Sequence, residues 1–337
     1  MGQGGKMNQI EPTILKEITL DIFAYDKSQR PCDIAKQISE MYDVNYNDIY
    51  NKIKHYIQCA KKKTMQPVTE EKRVVIQNQE PFAHKSVWDG TQTIKIAIMG
   101  DTQIGSKYTQ WTHLKNFYDI CEEEGITDVY HTGDITDGLK MRPGHEYELY
   151  EVSADDMLRD VVAHYPKKPG ITTHFITGNH DASIYKQVGY DIGEAISRQR
   201  SDMKYLGRDC AVVYLTPNCK LELRHPWDGT AYALSYKTQK MVESMESDSK
   251  PNILAVGHYH KAEYMFYRNV HVLQTGCFQS QTPFTRGKGI SVHLGGWIVT
   301  IKVDKNGTIK SIAPQFIPYY SSIKDDYNNR FTIHEAC

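Results

Sequence analysis

Four short stretches of this 337-residue chain place metal-binding side chains at glycine turns: Gly100-Asp101-Thr102-Gln103, Gly133-Asp134-Ile135-Thr136-Asp137, Gly178-Asn179-His180-Asp181 and Gly257-His258-Tyr259-His260. A fifth candidate, His225, stands alone two residues after the apolar run 221–223. Singly, each has an ordinary reading, since an aspartate closes turns and a lone histidine is usually structural. Together they supply carboxylates, amide oxygens and imidazoles, the donors that two divalent cations about 3.5–4 Å apart require. Such cations acidify a shared water and neutralise phosphate oxygens during in-line attack. The donor set therefore points to phosphoester hydrolysis without a protein nucleophile.

What must position these groups is a set of strand ends. The apolar runs 94–99, 126–130 and 171–176 read as strands, with amphipathic helices near 109–123 and 146–164 between them. That alternation predicts a layered α/β domain, in which side chains at the carboxyl ends of neighbouring strands converge on one crevice. Beyond residue 203 strands dominate, at 211–215, 221–223, 253–256, 264–267, 270–273, 292–303 and 309–314, with one helix near 232–245.

Ahead of this region, helices are expected at 13–24, 32–41 and 46–62, from the helical spacing of Ile14, Leu15, Ile18, then Ile34, Ile38, Met41, then Ile49, Ile53, Ile57. Asn45, ending the short connection Tyr42-Asp43-Val44-Asn45, is a natural N-cap for the third. The pattern is helix-turn-helix-like. Lys52, Lys54, Lys61, Lys62 and Lys63 lie where a recognition helix would meet phosphates, although residues 1–65 carry a net charge of only +2. A protein-interaction or dimerisation module is the alternative. The expected organisation is a helical domain at 1–70, a linker at 71–92 containing the strand-like Val74-Val75-Ile76, a catalytic domain at 93–320 and a loose tail at 321–337.

With 40 Lys+Arg against 41 Asp+Glu, the net charge is −1, so any nucleic-acid surface must be a local patch. The 24% charged and 40% hydrophobic residues argue against disorder and collagen. No apolar run approaches the roughly 20 residues of a membrane-spanning helix, the opening segment lacks a hydrophobic signal core, and Lys6 stands where N-acylation of Gly2 would call for Ser or Thr. Seven cysteines without a CxxC pair suit a reducing, cytoplasmic compartment.

In their order, the motifs resemble the calcineurin-like metallophosphoesterase superfamily, whose signature runs D-x-H, G-D-x-x-D, G-N-H-[DE], a later H and G-H-x-H. The resemblance covers about residues 93–317 and implies a four-layer αββα sandwich, here preceded by a small all-α domain. It implies one metal held by Asp101, Gln103, Asp134 and His260, and a second held by Asp134, Asn179, His225 and His258, with Asp134 the bridge. Gln103 departs from the family's histidine, and its harder oxygen favours Mn first, with Mg, Fe and Zn as alternatives. His180 is implied as the general acid and Asp181 as the group that orients it, with Asp137 and His131 supporting the ligand loops. Arg142, His145, Tyr259 and Arg286, the last with Lys288, are expected on the substrate side. The arginines of the protein-phosphatase motifs are absent. The leading expectation is a phosphodiesterase acting on DNA, similar to phage or prophage enzymes related to repair exonucleases, an impression that includes the segment 224–232. Alternatives are a small-nucleotide phosphodiesterase, for example on cyclic nucleotides, and a non-catalytic DNA- or protein-binding regulator. The expected partner is nucleic acid, with no membrane and with room for a homodimer.

Overall fold

The structure, a computed structural model, describes residues 11–25, 30–42, 44–65, 83–85 and 88–331. It divides into two compact units, Met1–Asn78 and Gln79–Cys337. In the smaller, α1 (Pro12–Tyr25), α2 (Pro31–Tyr42) and α3 (Tyr46–Met65) bury one core that includes Leu15, Ile34, Ile38, Ile49, Ile53 and Ile57. The i, i+4 repeat of the last three residues turns a single stripe of α3 inward. Asn45 Oδ1 accepts from Asn47 N at 2.9 Å, which ties down a free N–H at the start of α3. Lys52 and Lys54 are exposed on that helix. The side chains of Lys61, Lys62 and Lys63 lie outside the described residues, as does the segment 74–76.

The larger unit holds two six-stranded sheets. One is ordered β12 (Ile309–Pro318), β11 (Gly295–Val303), β2 (Thr93–Met99), β3 (Asp128–His131), β4 (Thr172–Thr177), β5 (Met203–Arg208). The other is ordered β1 (Ala83–Lys85), β6 (Cys210–Thr216), β7 (Cys219–Arg224), β8 (Ile253–Val256), β10 (Val270–Thr275), β9 (Ala262–Tyr267). Period-2 alternation sorts β2 between two cores. Ile96 and Ile98 pack with Leu221, Leu223, Ile253 and Ala255 between the sheets. Ala97 and Met99 face the opposite way, under α4 (Trp111–Glu123), α5 (Ala154–His164) and α7 (Ile192–Gln199), against Trp111, Phe117, Val161 and Ile196. On the far side of the second sheet, Val242 of α8 (Tyr236–Ser244) packs on Leu254, Val256, Val270 and Val272. The layers are therefore αββα. Strands β2 to β5 run parallel, as do β7, β8 and β10, so the carboxyl ends within each set point the same way.

Three features depart from the sequence reading. Residues 83–85, inside the expected linker, pair with Val212–Tyr214 of β6 as an edge strand. Helices α6 (Asn179–Val188) and α7, the one-turn helix at Pro283–Gly287 and strand β5 were not anticipated. The segment expected as a loose tail is anchored as far as it is described: fully buried Asp326 accepts from Thr112 N at 2.8 Å, capping α4, whose own N-cap Gln110 offers no side-chain bond. Among the described residues no helix is long and apolar enough to cross a membrane.

Candidate metal centre

Asp101 follows β2, Asp134 follows β3, Asn179 opens α6 just after β4, His225 follows β7, and His258 and His260 follow β8. The backbone is bent hard to bring them together. Asp101, Gln103, Asp134, His258 and His260 all have left-handed φ, at 53°, 51°, 55°, 76° and 54°. Such conformations cost of order 1–3 kcal/mol each for non-glycine residues and persist only where the surroundings enforce them. Gly178 has to be glycine, because a Cβ there would collide with Asp134 Oδ1.

In one half of the centre, His225 Nδ1 donates to Thr132 O at 2.8 Å, and His258 Nε2 donates to Asp228 O at 2.7 Å. Backbone carbonyls can only accept, so these contacts fix both rings with their other nitrogens turned inward. His225 Nε2 lies 3.0 Å from Asn179 Oδ1 and 3.1 Å from Asp134 Oδ2; His258 Nδ1 lies 2.8 Å from the same Asn179 oxygen. Acceptors crowd together here, and the site calls for positive charge. In the ion-free protein a proton meets that demand. Burial drags the His225 pKa down, but the Asp134 carboxylate outweighs it and holds the imidazole at about 9.

The other half joins Asp101, Gln103, Asp134 and His260. His260 Nε2 is 3.4 Å from Asp101 Oδ1, and the Asp101 carboxylate accepts from His258 N at 3.0 and 3.1 Å. Gln103 Nε2 donates to Asp134 Oδ2 at 3.2 Å, which leaves Gln103 Oε1 buried without a hydrogen-bond partner among the described residues. An unsatisfied buried acceptor costs about 1–3 kcal/mol, and a divalent cation would satisfy it. The residues present thus fit a pair of hard divalent ions, with glutamine supplying an oxygen where the family motif has an imidazole.

His180 lies beside Asp134, to whose Oδ1 its backbone N–H donates at 2.8 Å. Its ring Nδ1 faces Asp137, 2.7 Å from the backbone oxygen and 3.1 Å from Oδ1. On the far side of that carboxylate, His145 Nε2 is 3.3 Å from Asp137 Oδ2. Although burial opposes it, the His145 and His180 contacts bring Asp137 down to about 2. This corrects two expectations. Asp181 does not orient His180: its carboxylate accepts from Ile135 N, Thr136 N and Gly178 N at 3.1, 2.8 and 3.0 Å, and so shapes the loop that carries Asp134. Nor can His145 reach substrate, since it is fully buried behind Asp137. His131 does lie behind the ligand loops, accepting from Gly133 N at 3.2 Å and contacting Thr102 Oγ1 at 3.2 Å.

A cavity of about 310 Å³ opens over these groups, lined by Asp134, His180, His258 and His260, with Arg142 and Lys288 at its rim. Arg142 pairs with Glu148 and lies 4.2 Å from the Phe284 ring centre. Tyr259 borders the cavity but donates its hydroxyl to Asp228 Oδ1 at 2.6 Å. Exposed Arg286, on the one-turn helix α9 (Pro283–Gly287), is not part of the lining; Lys288, two residues on, takes that place. Sequence reasoning missed Thr132 and Asp228, whose contribution is a backbone carbonyl and carries no residue-type signal. It also missed buried Gln279, which lines the cavity and donates to Ser106 Oγ at 2.9 Å.

Residues 94–262 match the family model of the calcineurin-like phosphoesterases. Curated relatives include the DNA polymerase II small subunit of Methanocaldococcus jannaschii, 24% identical over 242 residues, or 59% of this chain and 41% of that protein. The DNA polymerase II small subunit of Methanothermobacter thermautotrophicus is 24% identical over 246 residues, or 57% of this chain and 48% of that protein. The chain spans less than half the length of these relatives. They are archaeal polymerase subunits, which corrects the expected likeness to phage exonucleases. A solved archaeal phosphodiesterase is 14% identical, covering 66% of this chain and 100% of its own, with a TM-score of 0.36.

Proposed function

The chain belongs to the calcineurin-like phosphoesterase family, and from that premise we propose that it is a metal-dependent phosphodiesterase acting on nucleic acid, with DNA as the first substrate to test. The observation that carries this reading is the meeting of Asp101, Gln103, Asp134, Asn179, His225, His258 and His260 from five strand ends, with Gln103 Oε1 left buried and unpartnered. Two divalent cations bound there, Mn before Mg, Fe or Zn, would supply Lewis acidity toward water and phosphate oxygens.

The chain's own residues would do the rest. Asp134 serves both halves, since its Oδ2 meets His225 and Gln103 alike. His180, at the cavity and fixed by Asp137 through Nδ1, would hand a proton to the departing oxygen. Arg142 and Lys288 at the rim would hold phosphate charge. The helical module, through Lys52, Lys54 and the run Lys61–Lys63, would hold a polyanion.

A second reading is favoured by the relatives' names: a non-catalytic subunit of a DNA-handling assembly. One assay separates the two. Purified protein loaded with Mn is given bis-p-nitrophenyl phosphate beside a His180→Ala variant. Nitrophenol released faster than by the variant supports the enzyme; equal, negligible release removes it. Steep loss of DNA binding between about 50 and 200 mM salt would separate a polymer substrate from a small nucleotide.

A further inference from the structure

A second cavity, of about 150 Å³, shares two walls with the metal centre. Helix α6 gives His180 to the first cavity and Tyr185 and Lys186 to the second; the loop after β7 gives Gly229 and Thr230 to the first and Trp227 to the second. Three aromatic rings border this smaller space and stay open to solvent: Tyr185 and Trp227 are each 46% exposed and Tyr190 is 39% exposed. Single exposed aromatics are ordinary, but three around one cavity form a patch that asks for an occupant.

Two of the rings carry a cation. Lys186 Nζ sits 4.1 Å from the Trp227 ring centre, and the Arg208 guanidinium sits 4.1 Å from that of Tyr185. Arg208 is balanced by Asp191 at 2.7 Å, whereas Lys186 has no carboxylate partner among the described residues. Asp209, with a left-handed φ of 60°, fastens the arrangement to the metal centre. Its Oδ1 accepts from Trp227 Nε1 at 2.8 Å while its backbone oxygen accepts from His225 N at 2.7 Å. Strain at a non-glycine residue that links a ligand loop to a solvent-open ring is the kind kept for function.

We propose that this cavity is a nucleobase subsite: it takes one unpaired base of a single strand whose adjoining phosphodiester lies at the metal centre. The solvent-exposed ring surface left beside these two cations, with that of Tyr190, suits a flat heterocycle of any sequence, and Lys186, without a carboxylate partner among the described residues, suits the backbone phosphate beside it. The proposal rests on the phosphodiesterase reading for what the neighbouring phosphate does there, and its test is kept apart from turnover.

The full-length protein, in EDTA, is titrated with a fluorescent single-stranded hexanucleotide and with the same strand carrying abasic sites. The intact strand is expected to bind about 5- to 150-fold more tightly. Tyr185→Ala and Trp227→Ala should bring that ratio toward one, and Tyr185→Phe and Trp227→Phe should keep most of it. Equal binding of intact and abasic strands by the unmodified protein overturns the subsite, as does preference for a duplex. Displacement of the strand by a free nucleoside monophosphate at similar concentration keeps the subsite and assigns it to free nucleotides. If the aryl diester is hydrolysed while the ratio is one, the subsite alone falls. If the ratio holds and the aryl diester stays intact, the phosphodiesterase reading falls and the subsite stands.

Discussion

In the half of the centre formed by Asn179, His225 and His258, each imidazole is pinned by a backbone carbonyl and its free nitrogen is aimed at a shared amide oxygen. In the half formed by Asp101, Gln103 and His260, one imidazole meets one carboxylate at 3.4 Å and a buried amide oxygen has no hydrogen-bond partner among the described residues. The first half is held by the chain's own hydrogen bonds; the second leaves one buried acceptor for a ligand to satisfy. Asp134 joins them, and it is also the residue whose loss should erase the distinction. Asp134→Asn is expected to abolish turnover and to loosen both ions, since the amide brings neither the charge nor a second anionic oxygen. Metal analysis that still finds two ions per chain would break the comparison at its hinge.

Next in size is His180→Ala, which should lower kcat by about 10²–10⁴ while both ions stay bound, because His180 belongs to neither half. Asp137→Asn should cost about 10–100-fold by letting that ring turn. If Asp181→Asn cost more in kcat without disturbing the fold, the assignment of Asp137 as the partner of His180 would be wrong.

How much of this could be read before folding differs between the same groups. The strand runs and the donors at their ends were legible, because period-2 burial and glycine turns leave marks in sequence. So were the three N-terminal helices, whose apolar repeats fall within a few residues of the observed bounds. Which aspartate faces His180 was not legible. Asp137 and Asp181 stand in equally suggestive motifs, and the choice is made by a loop that returns under left-handed Asp134, presenting Ile135 N and Thr136 N to Asp181. Two outcomes were hidden for a related reason: that His145 is buried behind a carboxylate, and that Lys288 rather than Arg286 lines the cavity, are tertiary facts. Helix α6 was hidden because its first turn is the Asn179-His180-Asp181 motif itself.

His131 tests the strut behind both halves, linking the loop after Asp101 to the one before Asp134. Burial lowers its pKa to about 3, so it stays neutral in the folded protein. A histidine held below its unfolded value of about 6.5 takes up its proton more readily when unfolded. Its neutral packing therefore contributes undiminished above pH 6.5 and is progressively undone as pH falls from there toward 3. The urea midpoint of metal-free protein should drop over that window, and His131→Asn should flatten the drop. An identical pH profile for both proteins would remove His131 as the source.

The smallest expected effect is the most specific to the comparison. Gln103→His restores the imidazole that the family motif carries, and the position can accept it, because its φ of 51° lies in a region that histidine visits more readily than most residues. The change removes the orphaned Oε1, so it should not lower stability, although the Gln103 Nε2 bond to Asp134 goes with it. Imidazole is a softer donor than an amide oxygen, so Zn should gain on Mn in the Asp101 half, by about tenfold in relative affinity. The Asn179 half should keep its preference. Competition between the two metals, followed by titrating one ion against the other, would show one site shifting and one unmoved. Two sites shifting together would mean that Asp134 couples the halves too tightly for either to have a character of its own.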